Sequence, residues 1–108
     1  MEILDKVNVL GTIYTIEELE ERTQYMKDRD IHGYCDMSSK KIVVCGKETD
    51  FDNKEVITKL LIRHEIIHAF LLESGIAYCT GFHTEEMVEW LSMQFPKLKE
   101  TLEGVDTC

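Results

Sequence analysis

The sequence has a single proline and no two cysteines in a C-x-x-C pair. With 44% hydrophobic residues and so little proline, its composition is not that of a disordered chain. The cysteines are Cys35, Cys45, Cys79 and Cys108, and their spacing excludes a zinc knuckle and a thioredoxin-like site. In a reducing compartment the buried ones act as small apolar residues. Cys35 and Cys45 could face each other across a hairpin, the one disulfide the spacing suggests. No apolar run is long enough to span a membrane. Residues 1–5 are acidic and lack the basic and then apolar regions of a signal peptide, which predicts a cytoplasmic chain. Basic residues are also scarce, 12 against 21 acidic ones, for a net charge of -9. That surface repels phosphate backbones, so nucleic acid is a poor partner. The length fits one domain, residues 1–108, around one modest core.

The elements can be read in order. Residues 7–10 and 13–16 are β-branched or apolar around Gly11 and Thr12, which predicts a tight hairpin or one strand with a glycine bulge. Thr15 with Glu18 would form a capping box for a short helix over 17–27, but its sparse apolar residues Leu19, Tyr25 and Met26 suit a solvated loop as well. Residues 33–36 and 41–45 flank a polar turn and predict a second hairpin. Residues 42–45 are apolar without a break, as in a strand covered on both faces. A long helix should then open at Asp52, with Glu55 completing a capping box and Phe51 and Val56 forming a hydrophobic staple. Its apolar stripe runs through Ile57, Leu60, Leu61, Ile67, Leu71 and Leu72, while Glu55, Lys59, Arg63 and Glu73 mark a wetter side. Gly75 suits the left-handed residue past its end. A loop over 75–83 leads to a last helix capped by Thr84. Val88, Leu91, Phe95, Leu98 and Leu102 give that helix a core-facing stripe, and Pro96 should kink or divide it.

Within the long helix stands His64-Glu65-Ile66-Ile67-His68, an H-E-x-x-H pattern. Residues four apart lie almost above one another on a helix, so both imidazoles point at one spot, where they can bind one zinc ion. Glu65 lies about 100° round the helix, where it reaches a metal-bound water without taking a coordination place, the position of a general base. A single histidine on an apolar face is more often a core residue. Two at this spacing, each costing roughly 1–3 kcal/mol if left unpartnered, are better accounted for by a metal.

The candidates for a third ligand are His83, Glu85, Glu86 and Glu89. A histidine of the H-E-x-x-H-x-x-G-x-x-H kind is excluded, because Leu71 and Ser74 stand where glycine and histidine are required. Glu85 begins the inward stripe of the last helix, although an acid there also simply favours the helix dipole. Glu89, one turn on, can accept the other ring N–H of a metal-bound histidine. Glu86 points about 100° away, toward water. His83 is the alternative ligand, an electrophilic partner near the metal, or a plain loop residue.

The H-E-x-x-H pattern followed by Glu85-Glu86-Met87-Val88-Glu89-Trp90-Leu91-Ser92 resembles the gluzincin motif pair, and is most similar to the small ImmA/IrrE-like and minigluzincin proteins common in bacteria and their phages. The resemblance covers about residues 33–98. Glu89 stands where that family commonly has Asp or Asn. The resemblance implies an α+β fold, with a small antiparallel sheet packed on the H-E-x-x-H helix and a second helix carrying the third ligand. It implies a zinc metallopeptidase with Zn2+ on His64, His68 and Glu85, and Glu65 as catalytic base. A peptide or protein would be the substrate or partner. If the strand containing residues 42–44 is exposed, a substrate strand could pair with it. Tyr78, His83 and Tyr34 are candidate oxyanion donors. Two other readings compete. One is a non-catalytic zinc module of phage or mobile-element origin that meets a protein partner, and the other is a metal-free helical core.

Overall fold

A computed structural model describes residues 2–79 and 81–105. The elements are β1 (Glu2–Val9), β2 (Thr12–Glu18), α1 (Gln24–Arg29), β3 (Gly33–Asp36), β4 (Lys41–Val44), α2 (Lys54–Glu73), α3 (Ile76–Cys79) and α4 (Glu85–Glu103). Among the described residues no helix is long and apolar enough to cross a membrane.

The fold is α+β with one four-stranded sheet in the order β1-β2-β4-β3. The first hairpin turns on Leu10 and Gly11, whose φ angles of 51° and 93° are the paired left-handed values of a tight two-residue turn. β3 and β4 form the second hairpin. The sheet is mixed, not antiparallel as expected, because β2 and β4 run parallel. The chain between them passes through α1, so β4 re-enters beside β2 in the same direction. β4 thereby becomes a central strand, and Ile42, Val43 and Val44 are all buried. β1 and β3 are the two edge strands.

The two faces of the sheet hold separate apolar clusters. Val9, Tyr14, Ile16, Ile42 and Val44 meet Ala69 of α2, with Cys35, Leu61, Ile62 and Ile66 packed against them. On the other face Val43 and Cys45 meet Leu19 and Met26, with Ile31 and Tyr34 alongside. Cys35 and Cys45 therefore belong to opposite faces and are free thiols.

Several local expectations shift. β2 absorbs residues 15–18, so Thr15 and Glu18 pair with β4 and make no capping box. The short helix starts later, at Gln24, with the Thr23 side chain capping Met26 N. Asn53, not Asp52, caps α2 by accepting from Val56 N. Phe51 and Val56 are both exposed, and no staple buries them. Gly75 takes the expected left-handed conformation, φ 84°. The following segment closes one helical turn, α3, instead of remaining a loop.

α4 runs unbroken through Pro96, and the reason is visible. Proline lacks the N–H that would bond the carbonyl four residues back, which here belongs to Ser92. Arg63 of α2 supplies the missing donor through its Nε. The expected core stripe of α4 is realised only in part: Val88 is buried, while Phe95 and Leu98 are 47% and 50% exposed. Ser92, absent from that stripe, is fully buried.

Candidate metal centre

α2 carries His64, Glu65 and His68 through its middle turns, and Thr84 starts α4 by accepting from Met87 N. These two elements bring Glu85 onto the histidine pair. The Nε2 atoms of His64 and His68 are 3.2 Å apart. Glu85 spans them, with Oε2 3.1 Å from His64 Nε2 and Oε1 2.9 Å from His68 Nε2. Two donors of one tetrahedral zinc, each about 2.0–2.1 Å from it, stand about 3.3 Å apart. The ligand atoms of His64, His68 and Glu85 thus lie close enough together to hold one ion.

The other ring nitrogens fix which atoms face this point. His64 Nδ1 lies 2.9 Å from Glu89 Oε2, so it carries the proton and donates to that carboxylate. His68 Nδ1 lies 2.6 Å from His83 Nε2. His83 therefore stands behind His68, on the side away from Glu85. With protons on both Nδ1 atoms, each Nε2 turns a lone pair toward the same point, an arrangement that could accept a cation there. Protonating both Nε2 atoms instead would oppose two N–H groups across 3.2 Å.

Glu65 is 6% exposed. Burial, then the charges of Glu85 and Glu89, push its carboxyl up to about 8. Burial lowers His68, against the pull of Glu85. Burial raises Glu85, but His68 and His64 outweigh it and the net shift is downward. Burial thus favours the neutral form of Glu65, while the two histidines favour the charged form of Glu85.

A cavity of about 400 Å³ opens over these groups. Its floor is α2 and its wall is β3 with the preceding Ile31 and His32. Gly33 brings the wall close to Glu65, since a Cβ there would stand 3.2 Å from Glu65 Oε2. The strand beside the site is therefore β3, not the one containing residues 42–44. Gly33 and His32 escaped the sequence reading, because only the non-local β2–β4 pairing makes β3 an edge. Tyr34 turns its ring to the far sheet face, onto Tyr25. Tyr78 falls in α3, and its side chain lies outside the described part of the structure. No family model, curated protein or solved structure matches the chain.

Proposed function

We propose that the chain is a zinc-dependent peptidase. The observation that carries this reading is the convergence of His64 Nε2, His68 Nε2 and Glu85 within ligand distance, with the buried Glu65 carboxylate on the same helix beside an open cavity. Zinc suits two imidazoles and one carboxylate, and when bound it supplies the Lewis acidity that activates water and polarises a carbonyl.

The chain's own residues do the rest. Glu89 holds the His64 ring through Nδ1, and His83 holds His68 in the same way, so both Nε2 atoms stay aimed at the ion. Glu65 takes the proton from the attacking water and returns it to the leaving amine. The free edge of β3 offers backbone groups to an extended peptide and lays it across the cavity. Peptide addition at this edge replaces the pairing expected at residues 42–44.

The test is metal content by mass spectrometry on wild type, Glu85→Ala, His83→Ala and Glu65→Gln, followed by a peptide-library assay. We expect about one zinc per chain in wild type and Glu65→Gln, and a severe loss in Glu85→Ala. His83→Ala should weaken binding about 10–100-fold without abolishing it, as removal of a ring-orienting partner does. Glu65→Gln should keep zinc and lose hydrolysis. Zinc without turnover on any peptide would favour a non-catalytic zinc module, and no zinc after reconstitution would end both readings.

A further inference from the structure

The cavity over the histidines does not stop at β3. A second hollow of about 530 Å³ opens on the other face of the sheet, lined by Thr23, Tyr25, Tyr34, Cys35, Asp36 and Met37. Tyr34 and Cys35 line both spaces, so the two meet around the free edge of β3. The pleat explains this: Gly33 and Cys35 turn toward α2, and Tyr34 turns toward α1. A peptide extended along this edge sends alternate side chains to alternate faces. When one reaches the metal side, its neighbour reaches the hollow.

The chemistry of the hollow is aromatic and anionic. The Tyr25 and Tyr34 rings stand 5.1 Å apart, tilted by 57°. Asp36 receives Ser38 N, Ser38 Oγ and Ser39 N, all on Oδ1. The hydrogen bonds from Ser38 and then Ser39 lower the Asp36 carboxyl to about 2, so it is an anion at neutral pH. Burial first, and then the neighbouring Glu17, Tyr25 and Asp36, raise the Tyr34 hydroxyl. Tyr25 already seats one guanidinium, that of Arg29, 3.7 Å from its ring centre.

We infer that this hollow is a substrate pocket for a lysine or arginine side chain of a peptide lying along the free edge of β3, with its stem on the Tyr25 and Tyr34 rings and its charge toward Asp36. The inference rests on the peptidase reading for the peptide, and on the hollow alone for the residue it prefers. An acidic side chain would meet Asp36 at close range, and an uncharged one would leave that carboxylate unanswered.

The experiment uses zinc-loaded Glu65→Gln protein and short fluorescent peptides that differ at one scanned position, with affinity read by anisotropy. Lysine or arginine at one position should bind about tenfold tighter than alanine there, and glutamate weaker still. Tyr25→Ala should remove most of this preference, and Tyr25→Phe should keep it. Arg29→Gln should strengthen basic peptides, since it removes a competing cation from the same ring. That gain is one a merely structural role would not produce. Equal affinity for basic, neutral and acidic peptides, or no binding of any, overturns the pocket. Zinc measured on the same samples separates the two ideas. Full zinc without a basic preference ends the pocket alone, whereas a basic preference in protein that holds no zinc ends the peptidase reading and leaves the pocket.

Discussion

Gly33 is where the cavity wall has least room. A Cβ there would lie 3.2 Å from Glu65 Oε2 and 3.3 Å from Val44 Cγ1, and Val44 is fully buried and cannot retreat. Glu65 is the group that must move. Gly33→Ala should therefore fold and keep its zinc, yet lose roughly 10–100-fold in turnover on any peptide the wild type cleaves, because a small displacement of the base is costly. Unchanged turnover would detach Glu65 from the chemistry. Glu73 shows what a residue's neighbourhood conceals from sequence. At the end of the helix it reads as a wet acid. In the fold it accepts from Tyr14 OH at 2.7 Å, Lys40 Nζ at 2.9 Å and Thr12 Oγ1 at 3.0 Å, pinning α2 to both hairpins. Those bonds, led by that from Tyr14, lower its carboxyl from 4.5 to about 2. A folded value below the unfolded one stabilises the fold above the unfolded pKa, and that contribution fades as pH falls through the folded value. Stability measured in urea should thus drop as pH goes from about 4.5 to 2. Glu73→Gln should flatten part of that slope, with the rest remaining because Asp36 titrates in the same window.

At the scale of elements, α4 depends on α2 for more than packing. Pro96 costs a helix interior about 3 kcal/mol, partly through an orphaned carbonyl. Here that carbonyl is Ser92's, and Arg63 answers it from the facing helix. Arg63→Met should destabilise the protein by roughly 1–3 kcal/mol, the cost of a buried acceptor left unmade. In a Pro96→Ala background a backbone N–H becomes available to the same carbonyl, so the same change should cost far less. Thermal unfolding of the four proteins in the cycle reads the coupling directly, and additive effects would show that Arg63 acts elsewhere. The sequence placed Pro96 and expected a break, because the compensating donor lies in another element. The caps of α4 at Thr84 and of α2 within one residue of Asp52 were legible, since capping is local chemistry. So were the second hairpin and the left-handed Gly75, while the first hairpin stood level with a bulged strand until the fold decided it. The short helix was misplaced because β2 extends to Glu18 by pairing with β1 and β4, contacts no local pattern records.

Across the whole molecule, what sequence could not supply was the parallel pairing of β2 with β4. That single pairing decides which strand is central, which is the edge, and which face of the chain overlooks the histidines. The convergence of these side chains was legible, because helical spacing fixes His64 and His68, and Glu85 and Glu89 repeat one turn apart on the next helix. What was not legible was which nitrogen each neighbour would take, so His83 stood as an alternative ligand until the fold placed it behind His68. The centre also joins two elements of unequal security. β2 and β4 carry buried residues on both sheet faces, whereas α4 buries only Val88 and Ser92 and leaves Phe95, Leu98 and Trp90 exposed. Zinc bridging α2 and α4 would thus contribute most where packing contributes least. Chelating the metal should lower the melting temperature and speed amide hydrogen exchange chiefly in residues 85–95, with β2 and β4 little changed. Without the ion, Glu85 and Glu89 keep only their contacts to His64 and His68, so α4 should loosen first at its N-terminal end. If exchange instead rises evenly over the molecule, the ion supports the whole fold and not this one joint. If exchange does not change at all on chelation, packing alone seats α4, and the convergence of His64, His68 and Glu85 is not held together by a metal.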